Sequence, residues 1–79
     1  MITMKKTITL KYANALATGS FEFSGEFEDV STAVNALVKT FETEFNPANL
    51  DFQYVLVDGV DLGIDGLTQA ELALQKFYN

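Results

Sequence analysis

One segment of the sequence has the residue types of a cation site. Residues 58–66 hold three aspartates and three glycines, and carboxylate oxygens on a flexible loop are the ligands that a hard cation such as Ca²⁺ prefers. The spacing of a calcium loop is missing, however. If the loop began at Asp61, its third position would be Gly63, which has no side chain, and Leu72 would stand where a bidentate Glu is needed. We interpret the segment as a turn that leads into a helix, and we expect no metal site.

The absent residue types exclude several kinds of catalysis. The chain has no histidine, cysteine, tryptophan or arginine, so it lacks the usual base near neutral pH, a thiolate nucleophile and the common zinc ligands. The glycines of residues 59–66 do not have the spacing of a phosphate-binding loop, and no lysine follows them at the position that a P-loop requires. Repeated glutamates at residues 22–28 could serve acid–base chemistry, but a glycosidase needs a deep cleft that so short a chain can hardly enclose. We expect no catalytic residues, no cofactor and no enzymatic activity.

Length and charge indicate a soluble domain. With 79 residues, of which 48% are hydrophobic, residues 1–79 fit one small globular domain. Eleven acidic residues against five lysines give a charge of −6, which disfavours direct binding to nucleic-acid phosphates. The first residues alternate Thr and Ile after two lysines, a pattern of neither a signal peptide nor a membrane span. The chain has no cysteines and so no disulfides, which are typical of small domains in oxidising compartments. We therefore expect the domain to be cytoplasmic, with no membrane partner.

The first two elements are predicted to form an antiparallel hairpin. Residues 2–12 and 20–28 each alternate apolar and polar side chains, as half-buried strands do. One register satisfies both faces of the pair, and matched cross-strand pairs support it. It sets Leu10 opposite Phe23 and Tyr12 opposite Phe21 on the apolar face, and Lys11 opposite Glu22 and Lys5 opposite Glu28 on the polar face.

The rest of the chain predicts a helix, a second hairpin and a last helix. An apolar stripe from Val30 to Phe45 indicates a helix capped by Asp29 or Ser31 and ended by Asn46-Pro47. Asp58-Gly59 predicts a tight turn between a strand at residues 50–57 and a short strand at residues 60–64. The last helix is predicted to start at a capping box, Thr68 to Glu71, and to bury Ala70, Ala73, Leu74 and Phe77.

The predicted fold is therefore an α+β domain with the order ββαββα. Its simplest form is a mainly antiparallel four-stranded sheet with both helices packed on one face. The aromatic row Phe21, Phe23, Phe27, Phe52 and Tyr54 is expected in the core, on the side that the helices cover. The pattern alone does not determine the order of the strands in the sheet.

The third predicted strand raises the question of a binding surface. Its alternation puts Leu50, Phe52, Tyr54 and Leu56 on the core side, which leaves Val55 and Val57 on the face that should be polar. Either the strand is central and its valines pack on neighbouring lysine stems, or the valines contact another protein. The second interpretation gives these candidate protein-binding residues: Lys5, Lys11, Glu22, Val55 and Val57.

Two functions are compatible with these patterns. The first is a non-enzymatic, acidic protein-binding module that acts through its sheet surface or a sheet edge, with a homodimer as the simplest form of contact. The second is a small acidic inhibitor of the kind that phages and mobile elements use, which imitates phosphates to block a basic site on an enzyme. Its candidate mimics are Glu22, Glu26, Glu28, Glu42 and Glu44. Binding that salt weakens would favour the inhibitor.

Overall fold

The computed structural model describes residues 5–14, 19–40 and 49–77. Its elements, in chain order, are β1 (Lys6–Asn14), β2 (Ser20–Phe27), α1 (Val30–Thr40), β3 (Leu50–Val57), β4 (Val60–Asp61) and α2 (Gly63–Gln75). The four strands form one sheet in the order β2-β1-β3-β4, and each neighbouring pair is antiparallel. The predicted α+β fold with the order ββαββα is thus confirmed. The first strand lies inside the sheet, between β2 and β3.

The register of the first hairpin is the predicted one. Tyr12 lies opposite Phe21, and Lys11 lies opposite Glu22. The paired residues run without a shift from Ala13 opposite Ser20 to Lys6 opposite Phe27. The predicted pair of Lys5 with Glu28 lies just beyond this ladder. Complementary side chains on both faces explain why the pattern specifies this register, since a slip of one residue would reverse both faces.

Two phenylalanines of β2 stack across a glycine. The ring centroids of Phe23 and Phe27 are 5.9 Å apart, with an angle of 25° between the ring planes. A Cβ atom on Gly25, which lies between them, would come within 2.9 Å of the Phe27 ring. Both rings are half-buried against the core, whereas Phe21 is 41% exposed because β2 is the outermost strand. The prediction that Phe21 belongs to the core is therefore wrong.

Helix α1 begins at a capping aspartate, as predicted. Asp29 Oδ1 accepts hydrogen bonds from the backbone N–H and the hydroxyl of Thr32, both at 2.7 Å. This satisfies one of the N–H groups that a helix leaves unpaired in its first turn. The buried stripe of the helix consists of Val30, Ala33, Val34, Leu37 and Val38. The predicted continuation to Phe45 lies outside the described residues.

Strand β3 contains a bulge that changes which of its side chains face the core. Tyr12 pairs with Phe52 and Lys11 pairs with Tyr54, so Gln53 is an extra residue opposite one step of β1. Before the bulge, Phe52 points into the core; after it, Val55 does, with no exposed surface. Two predictions are therefore wrong: Val55 and Val57 do not lie on the outer side of the sheet, and Tyr54 does not lie in the core.

The Asp58-Gly59 turn that joins β3 to β4 is confirmed. Its residues have φ values of 51° and 83°, as a type I′ turn requires. The following strand β4 has only two residues, because the chain enters α2 already at Gly63, five residues before the predicted capping box. Leu62 is the N-cap residue and makes no side-chain capping bond. Thr68 therefore lies within the helix, where it has no capping role.

One core lies between the sheet and both helices. It combines Ile8, Leu10 and Tyr12 of β1 with residues of α1, β3 and α2. Helix α2 comes close to β3 at Gly66, where an added Cβ would be 3.1 Å from the Cβ of Val55. Its buried residues are Gly66, Ala70, Ala73 and Leu74. Phe77, predicted in this stripe, is 37% exposed.

Candidate protein-binding surface

The sheet has one side that faces away from the helices. We call it the outer face and define it by two rows of side chains that cross β2, β1 and β3. The first row is Glu22, Lys11 and Tyr54, and the second is Ser24, Thr9 and Leu56. The bulge at Gln53 creates these rows, because it turns Tyr54 and Leu56 to the side opposite Val55.

The first row is a connected cluster of three side chains. Lys11 Nζ lies 3.6 Å from Glu22 Oε1, and the Tyr54 hydroxyl donates a hydrogen bond of 3.1 Å to the same oxygen. The ammonium group of Lys11 is also 5.9 Å from the centre of the Tyr54 ring. The Glu22 side chain is 53% exposed, so water and salt screen these contacts and they add little to stability. They place the Tyr54 ring beside the ion pair on the surface.

The environment of Tyr54 changes its acidity. Partial burial is the main cause that raises the pKa of its phenol, and the hydrogen bond to Glu22 and the negative charge of that residue raise it further. The positive charge of Lys11 acts in the opposite direction. Tyr54 is therefore a neutral hydrogen-bond donor at physiological pH, with an apolar ring beside an ion pair.

The second row is less polar. The hydroxyl oxygens of Thr9 and Ser24 share a hydrogen bond of 3.0 Å, and Leu56 completes the row with a half-buried side chain. The outer face thus has a small apolar centre, Tyr54 and Leu56, next to charged and hydroxyl groups. Protein interfaces have this arrangement of an apolar centre with a polar rim.

The structure brings only part of the predicted binding site together. Lys11 and Glu22 are neighbours on the outer face, while Lys5 is exposed just before β1 begins. Val55 is fully buried, and Val57 packs against the core. Tyr54 and Leu56 occupy the position that the alternation predicted for the valines. The sequence contained a sign of this exchange. At one parity of the strand, polar Asp51 and Gln53 are followed by apolar Val55 and Val57, and a one-residue bulge produces such a change.

Two of the three aspartates in the predicted turn segment have structural partners. Asp58 Oδ1 accepts the backbone N–H of Thr7, and Asp61 Oδ1 accepts that of Gly63. Within residues 5–14, 19–40 and 49–77, no group of three or more acidic side chains is arranged to hold a metal ion.

Two shallow grooves lie on either side of Asp29. Their volumes are about 260 and 230 Å³, and Asp29 and Gln69 line both. Lys76 lines the first groove, and Lys6 lines the second. The hydrogen bonds from Thr32, and secondarily the two lysines, lower the pKa of Asp29. The Asp29 carboxylate already accepts the N–H and hydroxyl donors of Thr32, so these groups are not available to a bound anion. Both grooves are open to solvent and enclose no cavity.

Comparison with known proteins adds no functional assignment. No protein-family model, curated protein or solved structure matches the chain. In the part of the chain that the structure describes, neither helix has the length and apolar character needed to cross a membrane. The surfaces of the domain are therefore the basis for any functional proposal.

Proposed function

We propose that this domain is a non-enzymatic protein-binding module whose partner contacts the outer face. The observation that supports this is the position of Tyr54 and Leu56, which lie on the side of the sheet opposite both helices. Tyrosine is enriched at the energetic centre of interfaces, where burial of a few side chains supplies most of the binding free energy, and Leu56 adds apolar area beside it.

The cluster around Tyr54 favours binding in a second way. Glu22 and Lys11 hold the ring before a partner arrives, so less side-chain freedom is lost on association. The Tyr54 hydroxyl and the exposed Glu22 carboxylate then provide directional hydrogen bonds at the edge of the apolar centre. These polar groups would give specificity, whereas the apolar groups would give affinity.

A second copy of the chain is the simplest partner for this face. Two outer faces related by a two-fold axis would bury Tyr54 and Leu56 against each other and bring each Lys11 near acidic residues of the other copy. A different protein with a flat apolar patch would fit the same surface. Measurement of the mass in solution by sedimentation, over a range of concentrations, separates the two.

The test uses a double variant, Tyr54→Lys with Leu56→Lys, and a control on another surface, Leu72→Lys. Leu72 is 57% exposed on α2. Its replacement by lysine also introduces a positive charge in place of an apolar side chain, but it leaves the sheet unchanged. We expect the wild type and the control to retain a partner, or to dimerise, while the folded double variant does neither. Circular dichroism establishes that each variant is folded. Retention of the partner by the double variant would contradict the proposal.

Salt dependence separates this function from phosphate mimicry. Contact through Tyr54 and Leu56 should survive high salt, because burial of apolar surface is not screened. An inhibitor that imitates phosphates would instead bind through exposed carboxylates, such as Glu22 and Glu26, and would be released by salt. Glu42 and Glu44, which belong to the same hypothesis, lie outside the described residues.

A further inference from the structure

Strand β2 has one edge that no described segment covers. It is the terminal strand of the sheet and has eight residues, which pair with β1 without a register shift. Exposed edges are usually blocked by charged residues, especially lysine, by proline, by a bulge or by a covering element, because open N–H and C=O groups attract other strands. Strand β2 contains neither lysine nor proline, and its only charged residues are Glu22 and Glu26, which disfavour acidic strands and favour basic ones. Its outer edge is therefore a long and regular template for strand addition.

The hydrogen bonds of β1 identify which groups of β2 are open. The backbone of Thr7 is directed towards the β3 side, since its carbonyl accepts the Asp58 N–H at 2.7 Å. Backbone groups alternate in direction along a strand, so those of Ile8 and Leu10 are directed towards β2, where their partners are Gly25 and Phe23. The intervening residues of β2 direct their N–H and C=O groups away from the sheet. These residues are Ser20, Glu22, Ser24 and Glu26.

The side chains of β2 specify what an added strand must look like. Glu22 and Glu26 are exposed on the outer-face side, and Glu26 lies opposite Thr7 and so has no cation across from it in β1. On the other side, Phe21 is 41% exposed and Phe23 is half-buried. A complementary strand would alternate cations with apolar residues. Strand β1 has part of this pattern, since it alternates threonine or lysine with apolar residues, and it already pairs with β2, with Lys11 opposite Glu22.

Charge argues against a second copy of the chain at this edge. A symmetric antiparallel pair of β2 strands, in any register, collects four glutamates on one face of the pair, Glu22 and Glu26 of each copy. The two chains also each carry a charge of −6. Like charges across neighbouring strands are destabilising. We therefore propose that the free edge of β2 binds a partner by strand addition, and that the partner segment alternates lysine or arginine with apolar residues.

The probe is a fluorescent peptide with the sequence of residues 5–14, KKTITLKYAN. On the free edge, its Thr and Lys positions would exchange backbone hydrogen bonds with Glu22, Ser24 and Glu26. Methylation of the peptide nitrogens at the positions of Thr7 and Thr9 should therefore weaken binding by about tenfold or more, because two hydrogen bonds are lost. Methylation at the positions of Ile8 and Leu10 is the matched control, because those N–H groups would face solvent. A peptide with Glu in place of each Lys should not bind.

Amide exchange in the domain locates the peptide. We expect the free edge, Glu22, Ser24 and Glu26, to exchange more slowly with the peptide bound, while the amides of Phe21 and Phe23, already directed to β1, change little. Binding should weaken as salt rises. Equal binding of the two methylated peptides, absence of binding at low salt, or protection at other residues would each overturn the proposal. So would a concentration-dependent dimer of the folded Tyr54→Lys, Leu56→Lys variant, whose outer face should not self-associate, that protects Glu22 and Ser24 without any peptide.

Discussion

Asp58 and Thr7 are joined by two hydrogen bonds of opposite direction. The Asp58 N–H donates to the Thr7 carbonyl at 2.7 Å, and the Thr7 N–H donates to Asp58 Oδ1 at 2.9 Å. Asp58 also has a φ of 51°, which most residues other than glycine and asparagine avoid. One turn residue therefore shapes the second hairpin and extends the pairing between β1 and β3.

Replacement of this aspartate should show how much its side-chain oxygen and its tolerance of a positive φ contribute together. We expect Asp58→Ala to lower the free energy of unfolding by about 1–2 kcal/mol, because it loses the bond to Thr7 and places alanine at a positive φ. Asp58→Asn keeps a carbonyl oxygen and tolerates the conformation, so it should cost less than half as much. Urea unfolding measures both. Equal losses in the two variants would show that the side-chain oxygen has no part in stability.

The bulge makes neighbouring residues of β3 respond in opposite ways. Val55 is fully buried, so Val55→Lys loses about 1.5–3 kcal/mol of burial and adds the cost of an unpaired buried charge. That exceeds the few kcal/mol expected for so small a domain, and most molecules should unfold. Leu56→Lys, one residue further on the outer face, should leave the domain folded. A domain that tolerates the change at Val55 and unfolds with the change at Leu56 would refute the bulge.

The cap of α1 should make stability depend on pH. The pKa of Asp29 is lowered from 3.8 in the folded state, so the carboxylate stabilises the fold fully above that value. This contribution is lost as the pH falls through the folded-state pKa. Asp29→Ala should cost about 1 kcal/mol near neutral pH, whereas Asp29→Asn should cost only a few tenths because it still caps. Thermal melts between about pH 5 and pH 2 should show the wild type losing stability relative to Asp29→Asn; a constant difference would contradict the role of the charge.

Thr68 tests where α2 begins. It is an exposed residue inside the helix, which starts five residues earlier at Gly63. Alanine has the higher helix propensity, so Thr68→Ala should raise the free energy of unfolding by about 0.5 kcal/mol. If Thr68 were the N-cap, the same substitution would lower it by about 1 kcal/mol. The sign of the change in urea unfolding decides between the two.

Gly66 of the same helix should not accept alanine. An added Cβ would lie 2.7 Å from the Cβ of Leu62 and 3.1 Å from that of Val55. The strain of overpacking is about 1–3 kcal/mol, which should outweigh a gain of about 1 kcal/mol in helix propensity. We expect Gly66→Ala to be less stable than the wild type, with Thr68→Ala as the control for propensity alone. A stabilised Gly66→Ala would mean that α2 can move away from β3.

Features set by neighbouring residues were predictable from the sequence. The Tyr12–Phe21 register follows from two alternating strands close in the chain, and the Asp58-Gly59 turn follows from backbone preferences of two residues. The cap at Asp29 is equally local. These signals need no knowledge of the tertiary structure, so the pattern and the structure agree on them.

Features that depend on distant packing were not predictable. The alternation of β3 is continuous on one side from Leu50 to Leu56, and only its pairing with β1 reveals that Gln53 is an extra residue. The start of α2 was not predictable for the same reason. Thr68 to Glu71 has the form of a capping box, but the helix already includes Gly66, which packs closely against Val55 of β3. The predicted binding surface depended on which alternate residues of β3 face outward. Because of the extra residue, Leu56 faces outward and Val55 faces the core.

The position of β1 inside the sheet has a kinetic consequence. Its hairpin with β2 can form early, but a two-stranded hairpin alone is only marginally stable in water. Its second neighbour is distant in the chain, as the separation of 51 positions between Thr7 and Asp58 shows. Closing so long a loop costs entropy before any packing is gained, which slows folding. During synthesis on the ribosome, we therefore expect one side of β1 to stay unpaired until β3 emerges, so that the core closes late.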